Sequence, residues 1–127
     1  MERFHVAGRY FWDIFVGRKI YEGRSGASRM LKSITIGDVI EFYQETSSGD
    51  VVCYQARIFS RTMFKSVKKM LETQGILNML PGTYSIEEGI NIYAKFGLTE
   101  EEAKKNGAYA VGINVISDIY VRTKSKD

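Results

Sequence analysis

The sequence predicts an α+β domain, a small curled sheet or barrel of about five or six strands with flanking helices. Three observations lead there. Two β-branched and aromatic runs, Asp38 to Glu45 and Val51 to Ser60, flank the polar stretch Thr46-Ser47-Ser48-Gly49-Asp50 and read as an antiparallel hairpin. The stretch Ala108 to Val121 alternates through Val111, Ile113, Val115, Ile119 and Val121, the period of a strand. Between these two regions, apolar residues at helical spacing follow start signals at Thr62, Ser85 and Thr99.

Taken in order, Phe4 to Ala7 reads as a short strand, and Arg9 to Val16 as a mostly buried helix stopped by Gly17. Ile20 to Arg24 reads as a second strand, Ser25 to Ser28 as a polar loop, and Gly37-Asp38 as the turn into the hairpin. Thr62 is placed to cap a helix that buries Met63, Phe64, Val67, Met70 and Leu71 and ends near Gly75. After the corner at Leu80-Pro81-Gly82, Ser85-Ile86-Glu87-Glu88 has the capping-box pattern of a helix burying Ile86, Ile90 and Tyr93. Thr99 to Glu102 repeats that signal for a short helix to about Asn106. Ala108 to Val121 is then a long, bent closing strand, and the tail at 123–127 is expected to fray.

One domain fits 127 residues, placed at 1–122. With 44% hydrophobic and 26% charged residues the composition is that of an ordinary globular domain. No run approaches the roughly 20 apolar residues of a membrane span, so no membrane association is expected. Cys53 is the only cysteine and His5 the only histidine, which rules out an internal disulfide and the usual thiolate or multi-histidine metal site. Neither metal nor cofactor is expected, and a reducing cytoplasmic location suits the single thiol. The net charge of +3 is a mild hint of an anionic partner, but its distribution is more informative. Arg3, Arg9, Arg18, Lys19, Arg24, Arg29 and Lys32 stand against Glu2, Asp13 and Glu22 in the first 32 residues. Arg57, Arg61, Lys65, Lys68 and Lys69 form a second zone with no acid. Such segregation is what a face meeting phosphates requires, although a solvated mixed surface also accommodates it.

Gly17, Lys19, Glu22 and Arg24 match a Gly-x-Lys-x-x-Glu-x-Arg pattern, and here the chain resembles the ASCH family. Gly37-Asp38-Val39-Ile40 is similar to a second family landmark. Leu80-Pro81-Gly82 with Ser85 to Ile90 and Tyr93 is similar to a third, and Gly107 with Ala110-Val111 to a fourth, together spanning Phe4 to Val115. The resemblance implies a PUA-like β-barrel with a cleft beside the signature that accepts RNA. Some members of that family are described as hydrolases of RNA or modified nucleosides. In one hydrolytic branch a threonine stands where this chain has Glu22, a departure that counts against that branch's amidohydrolase activity here.

On a strand Glu22 and Arg24 share a face while Tyr21 points the other way. Arg24 offers a fork of donors for phosphate or a base edge, and Glu22 accepts from exocyclic amines or N–H groups. Lys19, just after Gly17, is expected at the mouth of the same cleft, where a phosphate would suit it. The opposing reading is that Glu22 and Arg24 merely pin the strand to each other. The expected partner is single-stranded RNA or a nucleotide-like ligand, with Arg57, Arg61, Lys65 and Lys68 as an electrostatic track. Tyr21, Tyr43, Tyr54 and Phe59 are candidate stacking platforms, although core or barrel wall is the more natural place for most of them. If the chain is a hydrolase, Lys19 and Glu22 are the candidate catalytic pair. His5 is expected to be packed structurally, Glu87 and Glu88 to serve the helix start, and Cys53 to be a small buried hydrophobe.

Overall fold

The structure, a computed structural model, describes residues 1–122; the expected fraying of 123–127 lies outside them. A mixed sheet curls into a half-barrel with helices around it, the α+β class the sequence predicts. The elements are β1 (Arg3–His5), α1 (Gly8–Phe15), β2 (Tyr21–Ser25), α2 (Arg29–Ser33), β3 (Val39–Glu45) and β4 (Val51–Phe64). They continue with α3 (Val67–Gln74), α4 (Ile76–Met79), α5 (Ile86–Lys95), α6 (Glu100–Asn106), β5 (Ala108–Val115) and β6 (Tyr120–Arg122).

The β3–β4 hairpin is the expected one, with Val39 opposite Arg57 and Glu45 opposite Val51. Beyond it β4 runs on to Phe64, because its second half pairs with β5 from Ala56–Val115 to Phe64–Ala108. A register shift between Ile58 and Ser60 bends the strand at that point. Thr62, Met63 and Phe64 are therefore strand residues and Thr62 caps nothing. Ser66 takes that role, its hydroxyl accepting from the Lys69 backbone N–H. Ser85 and Thr99 cap α5 and α6 as their patterns predict. The closing strand is two strands: β5 ends at Val115, and β6 returns to the same edge of β4 opposite Val51–Cys53. Two short helices, α2 and α4, were not expected from the sequence. Ser28, read as loop, caps the first of them.

Strand order is β1-β3-β4-β5-β2, with β1 parallel to β3 and β2 antiparallel to β5. The sheet curls but does not close, so β1 and β2 are free edges, and their meeting place positions the site. Two cores lie on either side. One fills the half-barrel with Phe11, Phe42, Tyr54, Ile58 and Val111, where Tyr54 donates from its hydroxyl to the Phe11 carbonyl at 2.6 Å. The other lies under α3 to α6 and holds Met70, Leu71, Met79, Leu80 and Tyr93. Tyr10 packs against both. Helix α1 is less buried than its composition predicts, since Trp12 is exposed and only Phe11, Asp13 and Ile14 are buried. Among the described residues no helix is long and apolar enough to cross a membrane.

Candidate functional site

The gap between β1 and β2 opens into a cleft of about 340 Å³. That is within the size range of small-ligand sites. His5 and Tyr10 line one side, Lys19, Glu22, Gly23 and Arg24 the floor, and Tyr93 and Phe96 the far wall. The signature segment is thus at the cleft, and the reasons are local. Gly17 turns the chain with φ +85°, a left-handed conformation costly for any residue with a Cβ. The N–H groups of Arg18 and Lys19 then close onto the Asp13 carbonyl at 2.9 and 3.0 Å. Strand β2 follows with Glu22 opposite Val111 and Arg24 opposite Tyr109, both side chains facing the cleft.

Lys19 is not at the mouth. It is 2% exposed, donating to the Met79 carbonyl at the end of α4, with its ammonium 3.6 Å from Glu22 and 5.4 Å from the Tyr10 ring centroid. The α4 chain closes over it and leaves the ammonium in the floor. Arg24 is the outer cation: Nη2 is 3.2 Å from Glu22 Oε2 and donates to the His5 carbonyl at 3.2 Å, bridging the two free edges. The three residues are therefore both pinned to one another and convergent on the cleft. Burial pulls the Lys19 ammonium below its ordinary pKa, against the opposing pull of Glu22. Burial pushes the Glu22 carboxyl up, but the Lys19 and Arg24 charges outweigh it and hold it below its ordinary range. The cleft so carries two cations and one carboxylate.

Tyr93 lies across Gly23, so close that a Cβ there would stand 2.7 Å from its hydroxyl. Its Oη is buried and finds no hydrogen-bond partner among the described residues. Burial first, then the Glu22 charge, pushes this phenol well above its usual pKa, so it stays protonated. Phe96, which follows α5, is 64% exposed and lines the same cleft, as does the exposed ring of His5 in edge contact with Tyr43. His5 is thus an exposed cleft residue, where the sequence reading expects a packed one. It sits on β1, which among the described residues pairs with β3 alone, so its other edge faces the cleft. Tyr93 and Phe96 escape sequence reasoning as site residues because they arrive from α5, some 70 positions from the signature; the isolated signal was Tyr93 in the third landmark.

The remaining candidates stand elsewhere. Tyr21 points away from the cleft, as alternation predicts, and meets the Phe59 ring at 6.0 Å. Arg61 donates to the Ile34 carbonyl at 2.6 Å and covers the Tyr109 ring, and Arg57 donates to the Gly37 carbonyl at 3.1 Å. Lys65 and Lys68 are exposed on the approach to α3 and in its first turn. None of these five lines the cleft. Tyr54 is wholly buried and Tyr43 partly so, both as wall residues, and Cys53 is buried in β4. Glu87 and Glu88 stand in the first turn of α5, outside the cleft lining. No cluster of His, Cys, Asp and Glu fit to hold a metal occurs among the described residues.

A mixed sheet curled into a half-barrel with flanking helices defines the structural class, and solved structures share that fold. The chain is similar to the hypothetical protein PH0355, whose crystal structure aligns at a TM-score of 0.75 and 34% identity, covering 91% of this chain and all of that one. It is also similar to protein PF0455 from Pyrococcus furiosus, whose solution NMR structure aligns at a TM-score of 0.71 and 32% identity, covering 92% and 98%. The chain belongs to the same family as these two proteins. No family model and no curated protein matches it.

Proposed function

We propose that the chain binds a nucleotide-like ligand, free or as one exposed residue of single-stranded RNA, in the cleft between β1 and β2. The observation that carries this reading is the Lys19–Glu22–Arg24 triad, which sets two cations and one carboxylate in the floor of a cavity of nucleotide size. Burying charge is costly, and charged groups gathered in a cleft are candidate ligand contacts for that reason. Arg24 is the group for phosphate, Glu22 reads N–H donors, and the exposed face of Phe96 is available for stacking. The resemblance to the ASCH family points the same way. Arg57, Lys65 and Lys68, outside the cleft, add a positive field that draws in a polyanion. A cytoplasmic setting suits such a ligand. Titrating the protein with short single-stranded RNA at two salt concentrations tests the reading. Affinity should fall as salt rises, Arg24→Ala should lose about tenfold or more, and Lys68→Ala should lose much less. Binding indifferent to salt, or equal losses in the two variants, would remove it.

A hydrolase acting on RNA or a modified nucleoside is the second reading, favoured by a lysine whose ammonium is pulled down by burial beside a carboxylate. Lys19→Met keeps the stem that fills the floor and removes the amine. Following product formation from single-stranded RNA and acylated nucleosides should then show turnover in wild type alone; equal activity in both ends Lys19's part in it.

A further inference from the structure

Tyr93 is the polar group of the cleft that the folded chain itself does not use. Its hydroxyl is buried, has no partner among the described residues, and sits over Gly23 at the cleft wall. A buried hydroxyl without a hydrogen bond costs stability, a cost that a partner arriving from outside offsets. Phenylalanine would fill the same space without that cost. The phenol is a donor in want of an acceptor. Glu22, in the same cleft, accepts only. Each of its oxygens faces one cation, Lys19 at 3.6 Å and Arg24 at 3.2 Å, which leaves lone pairs for a further N–H. A donor and an acceptor on the walls of one narrow cavity complement a planar group that carries an N–H beside a carbonyl or ring nitrogen. Every nucleobase presents such an edge, whereas a bare sugar phosphate does not.

Resting on the nucleotide reading above, we infer that Tyr93 is the base-reading donor of the cleft. Its hydroxyl gives a hydrogen bond to a carbonyl or ring-nitrogen acceptor of a nucleobase whose N–H is received by Glu22. Specificity then lies on the α5 side of the cleft and phosphate contact on the Arg24 side. Glycine at position 23 belongs to the same device, because any larger residue would lift Tyr93 off the strand.

The test compares wild type with Tyr93→Phe, using the four ribonucleoside 5′-monophosphates and ribose 5-phosphate as probes in calorimetric or NMR titrations. At least one nucleotide should bind wild type and lose about tenfold in the variant, the size expected for one hydrogen bond to a buried donor. Ribose 5-phosphate should titrate alike in both proteins. Without ligand the variant should melt no lower than wild type, since the hydroxyl it lacks has no partner to lose. Equal nucleotide affinity in the two proteins overturns the role of Tyr93 while leaving the nucleotide reading standing. A lower melting temperature for unliganded Tyr93→Phe overturns it as well, because the hydroxyl would then be structural. Failure of all four nucleotides to bind wild type removes the nucleotide reading, and this inference with it.

Discussion

Two buried carboxylates, Glu22 on β2 and Glu41 on β3, sit in one curled sheet and are handled in opposite ways. Glu41 is 0% exposed on β3 and saturated: Arg3 lies at 2.6 Å, the Tyr120 hydroxyl at 2.5 Å and Arg122 at 2.9 Å. Its donors come from β1 and β6, so it ties both ends of the described chain to the middle of the sheet. Glu22 meets its two cations at 3.6 and 3.2 Å, lines a cavity, and shares it with a phenol that has no partner among the described residues. The first arrangement closes a structure. The second leaves hydrogen-bonding capacity unspent, which is what a binding site needs and a stabilising pair does not.

The sharpest way to break the comparison is to remove one charge from each region. Glu41→Gln keeps the size of the side chain but turns three charge-assisted contacts into weaker ones, and presents an amide donor to groups that already donate. The expected loss is about 3 kcal/mol of unfolding free energy in urea denaturation, with the slope unchanged. A loss below about 1 kcal/mol would mean that water serves Arg3 and Arg122, both half exposed, as well as Glu41 does. Gly23→Ala strikes the other region. The new methyl would meet the Tyr93 ring at 2.8 Å, so the ring must move, at a cost of about 1–3 kcal/mol. Amide NMR shifts should change along β2 and α5 and leave β3 and β6 as they were. Unchanged α5 shifts would show that Tyr93 does not rest on that glycine.

Much of this contrast was legible in the sequence, and the rest was not for definable reasons. Alternation along β2 placed Glu22 and Arg24 on one face and Tyr21 on the other, because a two-residue period is a local property. The hairpin and the caps at Ser85 and Thr99 are local too. The sequence places the start of α3 too early because Met63, Phe64, Val67, Met70 and Leu71 satisfy a helical period. Only pairing with β5, more than 40 residues on, makes the first two strand residues. Lys19 was expected near solvent since its burial depends on the Met79 carbonyl, 60 positions away. Glu41 carries no sequence signal for the same reason: its partners stand at 38, 79 and 81 positions. Charge pattern alone also overstated the basic zones, because Arg3, Arg18, Arg24 and Arg29 each face an acid in the folded chain.

The smallest expected effect is a change in acid sensitivity when either carboxylate is removed, and it can be read without any ligand. Burial raises the Glu41 carboxyl, but hydrogen bonds from Tyr120 and Arg3 and the charges of Arg122 and Arg3 outweigh it, so its pKa in the folded chain is lowered. Glu22 is lowered as well, against the same penalty, by Lys19 and Arg24. A carboxylate whose folded pKa lies below its ordinary value of 4.5 binds protons more readily in the unfolded chain. Its contribution is therefore fully present above that value and is lost as pH falls through the lower folded one. Urea midpoints followed from neutral pH downward should decline on the acid side in wild type. Glu41→Gln should start lower and decline less, and Glu22→Gln should also decline less, each variant lacking one of the two titrations. The two savings should add in the double variant, because the sites share no partner. An acid limb as steep in Glu41→Gln as in wild type would show that Glu41 is not held ionised by its three donors, and the contrast between a saturated and an unsaturated carboxylate would collapse.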